Sequence, residues 1–457
     1  MATRTAETDR TVPGPAGLPF LGSMFDMRRD TLGTFLAAQR EHGDVVRIWA
    51  GPPGLRAEVY AVFSAEGVQK VLATDSANFR KDNVFYEELR ESFGNGLLTA
   101  QDEDYLRQRR LVQPLFTRRR VDGYAAAVVA ETERMTAGWG EEVELVGEMT
   151  RFTLRAVARI LFGTDVDAAV QVVEESFPVI GDYVLRRGYA PVSLPRTWPT
   201  PDNRRAAAAT ARLYAVCDRI IEQRRAAGAG PAEGPEADLL GLLAAAESAE
   251  DGSFDAAELR DQVLIFLLAG HETTATSLAF ALHLLARHPE EQARAREEVR
   301  RVLGDRAPGA ADLEALPYLT QVLKEAMRLY PAAPVIGRRA VAAAEIDGQL
   351  IPAGADVLLV PWVTHRHPRY WGEDPERFDP ARFEPAAEKA RARYAWFPFG
   401  GGPRACIGQH FSMLESVLAL ALLLRDFDFE SLTEEVPVST AITLQAEGAA
   451  RVRVGRV

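Results

Sequence analysis

FGGGPRACIG, residues 399–408, is the stretch that decides how this chain is read. Its three glycines and Pro403 prevent regular structure and allow backbone to approach a ligand closely. From Gly408 the chain continues GQHFSMLESVLALALLLR, an apolar run that reads as a buried helix, so Cys406 is expected to open it. Backbone N–H groups at a helix start favour a thiolate over a thiol.

A thiolate is also the ligand that pushes electron density onto a haem iron and favours O–O cleavage. Arg404, two residues before the sulfur, supplies a cation of the kind haem propionates need. A rival reading comes from GGGPRA, residues 400–405, which fits the loose Gly-x-Gly-x-x-Gly/Ala dinucleotide fingerprint, with Asp426 about 20 residues on. That fold needs further strand-helix units after the loop. Only about fifty residues remain, without such a series, so a nicotinamide-dependent dehydrogenase is the weaker alternative.

The rest of the chain is consistent with a large catalytic domain. It has 457 residues, 47% of them hydrophobic, enough for a sizeable core. A net charge of −12 argues against general nucleic-acid binding, which runs on clustered positive charge. Cys217 and Cys406 are too few for a disulfide framework and fit a reducing compartment. Residues 1–12 read as a flexible polar tail and residues 13–457 as one catalytic domain, entered by an irregular arm, PGPAGLPFLG. No signal-like stretch opens the chain, and no apolar run reaches the roughly 18 residues of a membrane span. The expectation is a cytoplasmic protein without a membrane anchor.

Helical patterns dominate. Arg204–Arg225 is Ala-rich and amphipathic, with Cys217 among apolar neighbours as an inert core thiol. AAGAGPAEGPEA, residues 226–237, reads as a flexible linker. Asp261–Arg287 is apolar almost all round, as a helix buried on every side must be. Strand-like pieces are short: Glu58–Phe63, Ala344–Ile351, Asp356–Val360 and Arg451–Val454. The fold class is mainly α with small β-sheets around a central buried helix.

Inside that helix sits Ala269-Gly-His-Glu-Thr-Thr274. A polar cluster in an apolar helix is costly unless it has partners or a purpose. Ala269 and Gly270 leave space beside the backbone, and Thr273 can bond back to the Ala269 carbonyl and distort the helix. The result is a polar notch large enough for dioxygen or water. A zinc reading fails because His-Glu-x-x-His ends on Ala275.

The loop resembles the cytochrome P-450 pattern Phe-x-x-Gly-x-Arg-x-Cys-x-Gly, at Phe399, Gly402, Arg404, Cys406 and Gly408. The resemblance runs from about Pro13 to near the C-terminus. It implies a haem-thiolate monooxygenase containing haem b, with Cys406 on the iron and Ala269, Gly270, Glu272 and Thr273 on the distal helix. Thr273 would then hydrogen-bond dioxygen, and Glu272 would help deliver protons. Tyr105 and Arg109 match a haem-contacting helix, although the family usually has Trp or His at the Tyr105 position. Arg338 matches a propionate-binding position, with Arg339 next door. Glu325 and Arg328 resemble the family's Glu-x-x-Arg helix, whose third partner would be Arg382 of Pro380-Ala-Arg-Phe383; Arg377 sits one segment too early.

Family pocket positions fall on Phe85, Tyr86, Phe93, Leu97, Leu98, Ile265, Phe266, Ala269, Val335, Ile336 and Leu444, nearly all apolar. The expected substrate is a mid-sized apolar molecule, a terpenoid or other secondary metabolite, oxidised with O2. Fatty-acid hydroxylation is the alternative, with Arg186 and Arg187 holding a carboxylate. A peroxide-driven oxygenase and a non-catalytic haem sensor are further ones, against which Glu272 and Thr273 argue. Electrons would come from a separate ferredoxin or flavodoxin with its reductase, docking near Arg107 and Arg110.

Overall fold

The computed structural model describes residues 12–52, 56–162, 167–188, 193–226, 240, 241, 243, 247, 248 and 252–457. The tail expected over residues 1–12 lies outside them except for Val12, which is buried. The linker expected over residues 226–237 also lies outside them, except for Ala226, the last residue of the helix Pro201–Ala226. Contacts divide the chain into two interleaved units. One comprises Met1–Asn83, Val335–Pro375 and Ala392–Ala405; the other comprises Val84–Pro334, Glu376–Arg391 and Cys406–Val457.

The first unit is built on a five-stranded sheet in the order Val45–Ala50, Ala57–Val62, Asp356–Leu359, Ile336–Ala340, Phe79–Arg80. Only the Ala57–Val62 pairing with Asp356–Leu359 is parallel. Its core gathers Val62, Val68, Val71, Val357, Leu359 and Phe397. The single strand expected at Ala344–Ile351 is a hairpin of Ala344–Ile346 and Gln349–Ile351. Asp347 and Gly348 both take positive φ, 48° and 76°, as a two-residue hairpin turn requires.

The second unit is helical. Its spine is the central helix, Ala256–Arg287. Asp255 starts it, accepting hydrogen bonds from the backbone N–H of Ala257 and Glu258, while the Glu258 carboxylate accepts from the Asp255 N–H. This reciprocal cap satisfies donors that a helix start otherwise leaves unpaired. At 1.5 Å per residue the helix is about 48 Å long. It is long and apolar enough to cross a membrane, which corrects the expectation that no run qualifies, but 72% of its most apolar stretch is buried inside the fold. It is a core helix, packed mainly on Leu145–Phe162. The helix after the cysteine loop, Gln409–Asp426, is buried from Leu414 to Leu424 and packs on Ala125–Thr136 and Pro289–Leu303. A three-stranded sheet, Phe427–Ser431, Arg451–Arg456 and Glu142–Glu144, and the hairpin Val438–Thr440 with Leu444–Ala446 complete the unit.

Candidate active site

The cysteine loop owes its shape to glycine. Gly400 and Gly402 take φ of 68° and 63°, in the left-handed region. A Cβ on Gly402 would lie 1.8 Å from the Leu72 carbonyl oxygen, and one on Gly401 would lie 2.4 Å from the Tyr394 ring. The backbone around these glycines therefore rests directly on the turn Lys70–Thr74 and on Tyr394. Phe399 and Arg404 belong to the same unit and flank these glycines in sequence.

In the same unit, the strand Ile336–Ala340 sorts two adjacent arginines, because successive side chains of a strand point to opposite faces. Arg339 is bound to Asp356 at 2.9 Å, across the ladder. Arg338 is 5% exposed, and its hydrogen bond goes to the Gly337 carbonyl at 2.7 Å. Among the described residues Arg338 has no carboxylate partner. A buried guanidinium without a counter-charge is expensive, so this is where a bound anion would repay the cost. Of the two arginines, Arg338 is the one left over.

In the second unit, Cys406 stands three residues ahead of the helix, which begins at Gln409 with Gly408 as its cap. The expectation that Cys406 opens the helix is corrected: Gly408 at the cap delays the first turn. Cys406 is exposed, whereas Cys217 is buried. Burial pushes the Cys217 thiol up to about 12, which keeps it protonated and inert. Gly408 leaves the sulfur's flank bare; a Cβ there would sit 3.9 Å from Sγ.

From Gln262 to Ala286 the central helix is buried except at one turn. Ala269 is exposed and Gly270, Glu272 and Thr273 are half-buried, with buried residues before and after them. The Thr273 hydroxyl donates to the Ala269 carbonyl at 2.7 Å. Thr276 and Ser277 donate back in the same way to Glu272 and Thr273. Hydroxyls bonded to carbonyls four residues earlier bend a helix. His271 is buried; its Nδ1 lies 2.5 Å from the Leu267 carbonyl and its ring packs on Phe177. Burial pushes its pKa down, so it stays neutral and serves packing. The Glu272 carboxylate accepts a hydrogen bond from Gln445 at 2.7 Å. Gln445 carries no motif, and no sequence signal pointed to it.

A polar hub ties neighbouring segments to this helix. Gln262 donates to Gln108 at 2.8 Å and accepts from the Leu97 N–H at 3.2 Å, and Asp261 accepts from the Asn95 N–H at 2.8 Å. The hub places Leu97 beside the central helix, where Gly96 fits against Ile265. It also anchors the helix Asp102–Val112, with Tyr105 buried and Arg109 half-buried. Phe85 and Tyr86 pack edge to face at 5.6 Å, Phe266 packs on Phe116, and Leu98 is half-buried. Phe93 has no exposed surface and packs on Phe177 at 5.6 Å. Leu444 is buried on the Leu444–Ala446 strand, while Val335 and Ile336 belong to the first unit. Arg107 pairs with Glu258, so it is not available for docking; Arg110 is exposed.

Glu325 and Arg328 are both 0% exposed and form a two-pronged ion pair at 2.6 and 2.7 Å. Arg382 approaches Glu325 at 3.6 Å, and the Asp379 N–H donates to it at 2.9 Å. Arg377 gives only its carbonyl, at 3.2 Å from Arg328, and its side chain is exposed.

On the helix of the cysteine loop, Glu415 is fully buried, and neither carboxyl oxygen has a partner among the described residues. Burial pushes its pKa well above the ordinary value. The folded protein therefore keeps a proton that the unfolded chain releases, and stability falls as pH rises above about 4.5. Glu415→Gln is expected to stabilise the protein at pH 7 to 8 by about 1 to 3 kcal/mol, at about 1.4 kcal/mol per pH unit, and to lose that advantage below pH 4. Denaturant unfolding of both proteins across this range is the measurement; a gain that does not vary with pH would contradict it.

The cytochrome P450 family model matches residues 12–449. The chain belongs to the cytochrome P-450 family. It is 38% identical to cyclooctatin synthase of Streptomyces melanosporofaciens, over 91% of this chain and 89% of that protein. It is 36% identical to pentalenene oxygenase of Streptomyces avermitilis, over 90% of this chain and 89% of that one. Among solved structures, the crystal structure of the cytochrome P-450DA heme domain matches with a TM-score of 0.86 and 28% identity, covering 98% of both chains. The protein is thus a P-450 monooxygenase, an oxidoreductase with a haem-thiolate cofactor, supplied with electrons by a redox partner. The residues present fit that cofactor. The thiol of Cys406 is accessible, the distal helix is bare at Ala269, and Arg338 is a buried cation without a carboxylate partner among the described residues.

Proposed function

We propose that this P-450, with residues 13–457 as one catalytic domain, oxidises a neutral terpenoid in the cytoplasm. Haem b, when bound through Cys406, supplies the activation of dioxygen for insertion of one oxygen atom into a C–H or C=C bond, with two electrons and two protons consumed and water released. This chain's own residues supply the rest. Arg338, Arg109 and Arg404, with Tyr105, hold the propionates. Thr273 and Glu272 hold and pass protons at the notch in the central helix. The apolar side chains of Leu97, Ile265, Phe266 and Leu444 exclude water from the substrate.

The observation that carries the substrate class is the state of Arg186 and Arg187. Arg187 is bound to Glu88 at 2.8 Å and to the Leu194 carbonyl at 2.6 Å, and Arg186 pairs with Asp182 and Asp202. Neither is left over for a fatty-acid carboxylate, and the Streptomyces avermitilis relative is a pentalenene oxygenase. The test is a library screen by optical spin-state shift. Neutral terpenes are expected to bind. Binding of fatty acids alone, lost in the Arg186→Ala, Arg187→Ala double variant, would overturn the reading.

Two further outcomes follow from the assigned roles. Thr273→Ala is expected to keep haem and substrate affinity but to divert most reducing equivalents to peroxide, seen as product formed per reductant consumed; unchanged coupling would remove Thr273 from proton delivery. The electron donor is a separate ferredoxin or flavodoxin with an acidic face, docking at Arg110. Electron transfer is then expected to slow with rising salt, because exposed charges are screened beyond about 10 Å at 0.1 M. Arg110→Glu should slow it at least severalfold at low salt. Rates that ignore both salt and charge reversal would rule this surface out.

A further inference from the structure

The acid in the distal notch is held by a residue from a distant part of the chain. Gln445 Nε2 donates to Glu272 Oε1 at 2.7 Å and to the Thr443 hydroxyl at 2.9 Å. Among the described residues, Glu272 Oε2 is buried and has no partner. One carboxylate oxygen is therefore fixed and the other is left available.

Gln445 is itself anchored. It lies on the strand Leu444–Ala446, paired with Val438–Thr440. The Leu444 N–H donates to the Ala332 carbonyl at 2.9 Å, and the side chain of Ile442 lies 3.7 Å from where a Cβ on Gly181 would be. The hairpin is pinned to two other segments of the unit, and Thr443, just before the strand, fixes the Gln445 amide. A carboxylate meeting one amide is aimed without gaining a counter-charge. An arginine in that place would pair with it in the ionised form and hold it there.

We propose that Gln445 is a positioning residue for Glu272, directing the free carboxylate oxygen during proton delivery and linking it to the hairpin that carries Leu444. The proposal rests on the reading of Glu272 as a proton carrier. Leu444 is the neighbour of Gln445, so a substrate that displaces this strand also moves the amide. Poorly fitting substrates should then waste dioxygen as well as bind weakly.

The experiment compares Gln445→Leu, Glu272→Gln and wild type as haem-loaded proteins, with a surrogate ferredoxin, its reductase and one terpene that gives a spin-state shift. For Gln445→Leu the expected result is an unchanged spin shift and KM, product per dioxygen consumed lower by threefold or more, and a solvent deuterium isotope effect at least doubled. A second readout needs no turnover: thermal unfolding of Glu272→Ala, Gln445→Ala and the double variant. If the contact is as described, the two single Tm shifts sum to more than the shift of the double variant, because both remove the same bond. If Glu272→Gln changes coupling and isotope effect but Gln445→Leu changes only KM, or if the Tm shifts add, the positioning role is overturned and the reading of Glu272 stands. If Glu272→Gln changes neither, the reading of Glu272 fails and the role of Gln445 fails with it.

Discussion

Cys406→Ala protein, reduced and exposed to carbon monoxide, is expected to lose completely the strongly red-shifted Soret band that thiolate ligation gives. Cys217→Ala protein should keep it. The two cysteines separate on physical grounds. Cys406 is exposed beside a loop whose glycines let backbone rest on backbone, while Cys217 is buried in the helix Pro201–Ala226 with its pKa pushed up to about 12. Only the first can present a thiolate. An unshifted band in folded wild-type protein, or a band that survives in Cys406→Ala, would refute Cys406 as the ligand.

The second large effect is expected far from the chemistry. Glu325→Ala leaves Arg328 fully buried and deprived of both its hydrogen bonds to the carboxylate, and it strips the acceptor from the Asp379 N–H. Breaking one side of a buried pair costs about 3 to 5 kcal/mol, which is a large part of the roughly 5 to 15 kcal/mol by which folded proteins are stable. Little haem-loaded protein should accumulate at 37 °C, and the unfolding free energy of what does fold, from denaturant titration, should drop by that amount. Arg382→Ala should cost less, about 1 kcal/mol, because its contact to Glu325 is long at 3.6 Å and its side chain is partly exposed. Equal losses for the two variants would mean that the pair is not the centre of the trio.

Much of the site was legible because its chemistry demands unusual residues at fixed spacing. A Gly-rich loop before one cysteine, and Ala-Gly followed by acid and alcohol inside an apolar helix, are combinations that packing alone does not favour. The bond from Thr273 to the Ala269 carbonyl was also readable, since four residues make one helical turn. What stayed hidden depends on contacts between distant segments. Nothing local marks Gln445 as a partner of Glu272, 173 positions away. The choice between Arg338 and Arg339 needed the opposite strand, since only the position of Asp356 tells which is spent. Phe93 sits in a run that also supplies Leu97 beside the central helix, yet its ring turns to Phe177. Arg107 looked like a docking charge until Glu258, at the start of the central helix, claimed it.

The sorting of Arg338 from Arg339 has a further meaning for assembly. A slip of one residue in the strand Ile336–Ala340 would turn every side chain to the other face. A slip that set Ala340 against Asp356 would point Arg339 where Arg338 does and leave Asp356 facing an apolar neighbour. The ion pair between Arg339 and Asp356, directly opposed across the ladder, penalises that error. Against that slip it works as proofreading: the register that pairs Arg339 with Asp356 is the one that leaves Arg338 without a carboxylate partner among the described residues.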